Sequence, residues 1–383
     1  MKKLINNTAF FLKKETALIS LYASSFVANL AFLIIAYRLN FKLIDQYIIC
    51  VSCSTVLSSL FYSLIIKSKK KKEINLEIKL ISIKLILIIF FFFYIYVSLN
   101  RFFYISIFFL TLILSEFLIN LALVKCQLDM KKYSHGFIKI FQSLLKFGTL
   151  SFLFFTDDII ILGIINNLVI IIVFYSVITN YNFKINSRSK SFGVSDITYT
   201  LVGSLIFQLD KIIGPSYLDS DIIARYFINF KISSFYQIFG SIISQPIRNL
   251  LIKTKKINME MKKNIKYVFY LLIFFYIFSN LILIILYKYN FLDYFKIRIN
   301  LNDVIVYNII SLSFILHTKS GFYIDELYLN SQSKYLTKLN IICIIIIGFS
   351  IYLINNPIAW SASILMTQVL LLIFSQKIIN ILR

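Results

Sequence analysis

Lysines stand where an apolar helix would not ordinarily hold them. Between residues 136 and 155, Lys139, Gln142, Ser143, Lys146 and Thr149 recur at helical spacing and fall on one face. Between 221 and 245, Lys231, Ser234, Ser241 and Gln245 share a second face, with Arg225 nearer one end. Arg38 and Lys211 close two further apolar runs, and Asp210 precedes Lys211. Glu116 and His317 sit inside two more, with Lys319 beside the latter. A charge deep in hydrocarbon is costly, so it normally faces a partner or a watery cavity. Lysine and arginine in such a place suit an anion, whose lost hydration they replace with charge-assisted hydrogen bonds.

Each residue also has a plainer reading. Lys84, Lys139 and Lys319 reach an interface by snorkelling as readily as they line a cavity. Asp210 and Lys211 suit ion pairs that fix helix packing. Lys146 and Lys231 lie too deep to snorkel easily, so cavity lining is the stronger reading for them. Glu116 fits a counter-charge to a lysine better than a proton-coupling carboxylate. His317 is either a pH-sensitive group or a hydrogen-bonded packing residue.

The elements that position these residues are transmembrane helices. Of 383 residues, 59% are hydrophobic, and the mean hydropathy is +0.82. A soluble globule of this size needs a more polar exterior. The apolar runs last about 20 residues, the length of a helix crossing the hydrocarbon core, and do not alternate as barrel strands do. The runs predict an all-α polytopic membrane protein of about twelve spans. They lie near 16–37, 44–66, 79–98, 102–124, 136–155, 159–179, 193–214, 221–245, 265–288, 303–323, 337–355 and 359–379.

The net charge of +23 would suggest nucleic acid in a soluble protein. Here the basic residues cluster between spans, and every second loop is rich in them. The N-terminal stretch carries Lys2, Lys3, Lys13 and Lys14, and later clusters include Lys69–Lys72, Lys131–Lys132 and Lys253–Lys256. The opposite loops hold Asp157, Asp158, Asp219 and Asp221; Lys288, Lys296 and Arg298 are the exception. Basic loops stay in the cytoplasm, so both termini are expected there. Nucleic acid is excluded as a partner.

Cys50 and Cys53 form a CxxC inside an apolar run, where thiolate chemistry is opposed, and read as small packing residues. Two histidines in separate segments argue against a His-based metal site. No nucleophile motif is present, and no enzyme activity or cofactor is expected. The polar stretch 180–192 divides the chain into N-terminal (1–190) and C-terminal (191–383) bundles of six spans each.

The halves echo one another: Ile44-Asp45-Gln46-Tyr47-Ile48 opens the second span and Ile223-Ala224-Arg225-Tyr226-Phe227 opens the eighth. More specific is Leu201–Pro246, with Asp210, Lys211 and Gly214 late in the seventh span, Tyr226 early in the eighth and Pro246 near its inner end. This stretch resembles the start of the second half of polysaccharide flippases for O-antigen or capsule. They belong to the multidrug/oligosaccharidyl-lipid/polysaccharide exporter superfamily. Arg38 and Tyr47 resemble the matching elements of the first half. The chain lacks the Gly that usually precedes each Tyr, and it is short for the family.

The resemblance implies a V-shaped alternating-access transporter in a bacterial inner membrane. It would move an undecaprenyl-pyrophosphate-linked oligosaccharide through a cationic cavity between its halves. Substrate would meet Arg38, Lys139, Lys146, Lys211, Arg225 and Lys231, with Glu116, Asp210 and His317 in coupling or counter-charge roles. Membrane lipids, a polysaccharide polymerase and a chain-length regulator are the further partners it implies. Two other readings stand beside it. A cation-coupled exporter of the same superfamily would favour an acidic or apolar site. A membrane polysaccharide polymerase would need a long outer loop, which the sequence lacks.

Overall fold

The computed structural model describes residues 44–67, 103–128, 138, 141, 144, 159–179, 194–288, 300–330 and 332–382. The spans expected at 16–37 and 79–98, and all but three positions of 136–155, lie outside them. The described chain is helical. Its helices are α1 (Ile44–Lys67), α2 (Phe103–Leu128), α3 (Ile159–Thr179), α4 (Val194–Leu205), α5 (Leu209–Ile213), α6 (Ser220–Thr254), α7 (Met259–Lys288), α8 (Leu301–Leu329), α9 (Ser333–Leu353) and α10 (Pro357–Leu382). Four of them are long and apolar enough to cross a membrane: α7, α8, α9 and α10. The protein is a multi-pass membrane protein.

Internal packing separates Met1–Ser204 from Leu205–Arg383. In the first unit, α2 lies against both α1 and α3. Two features bring α2 and α3 close. Gly163 faces the ring of Phe108, which a Cβ there would overlap. A buried polar ladder also joins the two helices. The Ser115 hydroxyl donates to Asn167 Oδ1 at 3.3 Å, and Asn167 Nδ2 reaches Thr111 Oγ1 at 3.5 Å. Small and polar residues are what hold helices together where lipid offers no hydrophobic drive. Tyr47 of α1 stacks on Phe108 with ring centroids 5.5 Å apart.

In the second unit, α8 is the central helix, packed against α6, α7, α9 and α10. It begins on a capping box in which Asn300 and Asp303 exchange backbone hydrogen bonds. Ser311 donates to Ser233 across the α8–α6 contact at 3.1 Å. At Gly240 a Cβ would lie 2.6 Å from Thr318 Oγ1, so glycine sets the spacing of the two helices. The hydroxyls of Tyr236, Ser279 and Tyr307 meet in one cluster that ties α6, α7 and α8 together.

The described boundaries track the expected spans at α1, α2, α3, α9 and α10, and depart from them in two places. The seventh expected span, 193–214, is not one helix. It breaks at residues 206–208 between α4 and α5. Turn bonds from Lys211 and Ile212 to the Gln208 carbonyl satisfy the freed backbone. The eighth span runs well past 245, to Thr254, because helical bonding does not stop where hydrocarbon ends. Pro246 is therefore within the helix, and the basic loop shrinks to a tight turn. There Lys255 adopts φ 55° and Asn258 caps α7 through the Met261 N–H. Arg248 is a half-buried helix residue on α6, 3.4 Å from Asp325 of α8.

Candidate functional site

The break before α5 delivers two adjacent charges to the interior of the second unit. Lys211 Nζ lies 2.7 Å from Asp210 Oδ1, and both side chains are 0% exposed. The other carboxylate oxygen accepts a very short hydrogen bond from the Tyr226 hydroxyl of α6. The ammonium also sits 3.4 Å from the centroid of the Phe230 ring, on the face where the ring quadrupole attracts a cation. An isolated buried charge would be forbidding, but here each ion has an opposite charge and a second ligand.

The remaining walls are close-packed. Trp360 of α10, fully buried, meets Tyr226 edge-on at 6.0 Å and donates its indole N–H to the Ile354 carbonyl. Gly214 follows α5, where a Cβ would be 2.7 Å from the Trp360 ring and 3.0 Å from Ile223. That close approach, rather than backbone freedom, requires the glycine. Asp210, Lys211, Gly214 and Tyr226 thus form one cluster, completed by Phe230 and Trp360.

A second charged group caps the start of α8. Arg225 bonds Asp221 one turn earlier at 2.7 Å and reaches Asp303 at 3.8 Å. Asn229 joins Asp303 at 3.5 Å. The charge of Arg225 is shared between two carboxylates, and the cluster ties α6 to α8. Lys231 is half-buried, with Nζ 5.1 Å from the centroid of Phe227.

His317 is hydrogen-bonded to Gln368 at 3.1 Å and packs edge-on against Phe207. Lys319 lies 4.3 Å from the Phe269 centroid. Glu116 is half-buried on α2, in the first unit. Arg38, Lys139 and Lys146 lie outside the described residues. Among the described residues no three His, Cys, Asp or Glu gather to hold a metal ion.

Sequence reasoning missed Phe230, Trp360 and the Thr111, Ser115, Asn167 ladder. Two signals pointed to them. Trp360 is the chain's single tryptophan, and Asn166-Asn167 is a paired amide in an apolar run.

No family model matches the chain, and no curated protein matches it. Solved structures do. A mutant of the Vibrio cholerae MATE transporter VcmN aligns over 95% of this chain and 97% of its own, at TM-score 0.58 and 10% identity. A MOP superfamily transporter from Pyrococcus furiosus, whose binding pocket has a reverse polarity that suggests a different function, aligns over 93% and 95%, at TM-score 0.54 and 10% identity. Both alignments run almost end to end. The chain has the fold of the MATE and MOP transporters.

Proposed function

We propose that the protein is a flippase that carries a lipid-linked oligosaccharide pyrophosphate, on an undecaprenyl carrier, from the cytoplasmic to the periplasmic leaflet by alternating access. The observation that carries this reading is the sign of the deep charges. Lys146 and Lys231 stand in mid-span, whereas Glu116 is the acidic residue at comparable depth. A cationic drug would be repelled by such a set, and a pyrophosphate would be held by it. The fold supports transport over catalysis. The Pyrococcus furiosus transporter, with its pocket of reverse polarity, supports the idea that pocket polarity varies within this fold.

Within the second unit the charges take different roles. Asp210 and Lys211 neutralise one another and hold α5 in place. Arg225 is engaged by Asp221 and Asp303. Lys231, half-buried beside the Phe227 ring, is the residue we assign to the phosphate in this unit, on its mid-span position in the sequence. Lys146 is its expected counterpart in the first half.

The test is K146Q and K231Q, singly, in cells that build a surface polysaccharide. Each is expected to cut surface polymer at least tenfold at unchanged protein level, with lipid-linked single units accumulating on the inner leaflet. Unchanged polymer in both variants overturns the reading. The cation-coupled exporter is favoured by the fold of the Vibrio cholerae MATE protein. Its mark would be drug hypersensitivity of a deletion strain with intact polysaccharide.

A further inference from the structure

A small cavity of about 170 Å³ opens in the second unit, and neither Asp210 nor Lys231 is among its described lining residues. It is lined by Lys262 of α7, Tyr323 of α8, and Gln376, Ile379 and Asn380 of α10. At roughly 30 Å³ per water, it holds a handful of heavy-atom groups, the size of a phosphate with a short polar stub. Its chemistry is one-sided. Among the described residues the lining offers an ammonium, a phenol and two carboxamides, and no side-chain carboxylate. Among the described residues, the side chains of Lys262, Gln376 and Asn380 make no ion pair and no hydrogen bond to the protein. The ammonium and the two carboxamides therefore border a space whose polar contacts the described protein does not supply.

The cavity's position says what reaches it. Lys262 is in the first turns of α7, Tyr323 in the last turns of α8, and Gln376 and Asn380 in the last turns of α10. The bond from Asn330 Nδ2 to the Lys255 carbonyl, 2.9 Å, holds the end of α8 to the start of the α6–α7 turn. These helix ends also carry Lys255, Lys256, Lys263, Lys266, Lys334 and Lys377. With Glu260, Asp325 and Glu326 also at these ends the face is net basic, and such a face is expected toward the anionic cytoplasmic leaflet. Below the cavity the outer faces of the helices are apolar, with Tyr270 and Phe274 of α7 and Ile373 and Phe374 of α10 exposed. A group that anchors there is polar and anionic at one end and apolar at the other.

We propose that this cavity binds the phosphodiester headgroup of an anionic phospholipid from the cytoplasmic leaflet. Lys262 pairs with the phosphate, Tyr323 and Gln376 donate to its oxygens, and Asn380 meets the glycerol end. The acyl chains lie along α7 and α10. Such a lipid joins the first helix of this group to the last, and steadies the end of the unit.

The test uses full-length protein purified in detergent with mixed phosphatidylglycerol and phosphatidylcholine, read by native mass spectrometry. The wild type is expected to retain phosphatidylglycerol preferentially. K262Q is expected to weaken that retention roughly tenfold, K262R to keep most of it, and K334Q, which changes an exposed lysine on the same face, to keep all of it. A melting curve confirms that each variant is folded; if K262Q does not fold, Q376A replaces it, with a smaller loss expected. Equal loss in K262Q and K334Q would mean a diffuse surface charge and would overturn the site. Equal retention of both lipids by the wild type would overturn it too, as would displacement of the lipid by millimolar inorganic phosphate, the mark of a free-anion site.

Discussion

The smallest unit of this fold is a pair of neighbouring side chains. Asp210 and Lys211 are consecutive, fully buried and bonded at 2.7 Å. Removing one partner of such a pair strands the other charge and costs about 3–5 kcal/mol, whereas removing both is far cheaper. K211M is therefore expected to lower the melting temperature of the detergent-solubilised protein sharply, and the double variant D210N/K211M to melt above K211M. A K211M protein as stable as the wild type would show that Lys211 is not held as described. The sequence announced this site in part. Two opposite charges in an apolar run demand partners, and Tyr226 was marked by resemblance. Phe230 and Trp360 were not marked, because an aromatic residue in a membrane helix looks the same whether it faces lipid, core or cation.

At the scale of the helix, small residues decide how near two elements come. Gly240 on α6 faces Thr318 on α8, and an added methyl group would stand 2.6 Å from the threonine hydroxyl. By contrast, the nearest atom to a methyl group at Gly348 is Leu209 Cδ2, at 4.0 Å. G240A is expected to destabilise by roughly 1–3 kcal/mol through overpacking, while G348A stays neutral or gains slightly from a stiffer unfolded chain. Thermal melting of the two variants side by side checks this; equal curves would refute the close contact. Helix positions were legible from apolar run length alone, as α9 and α10 illustrate. Helix ends and interruptions were not. Hydropathy marks the hydrocarbon edge, but α6 continues beyond it, and the bend at 206–208 depends on local turn bonds to Gln208 that leave no compositional trace.

For the whole molecule, the fold is that of the MATE and MOP transporters. At 10% identity the architecture persists although few residues do, which is why run length and loop charge recovered the class of protein but not the inner contacts. Orientation is testable directly. Three helices, α7, α8 and α9, separate the turn at Lys256 from the turn at Asn355, so the two turns lie on opposite sides of the membrane. A membrane-impermeant maleimide is expected to label K256C nearly completely in inverted vesicles and N355C in intact spheroplasts, with little of the reverse. Labelling of both from the same side would contradict the crossing of these three helices.

The adjacency of Asp210 and Lys211 also bears on how the chain is made. A single charge at the centre of a membrane helix costs about 2.5–3.5 kcal/mol at the translocon. Partners on distant helices can relieve that cost only after both have been inserted. Neighbours in sequence emerge from the ribosome together, and they enter the bilayer as an electrically neutral dipeptide. Tyr226 follows within the next helix. The most buried charges of the second unit are thus compensated during synthesis, before the helices that later enclose them have been translated.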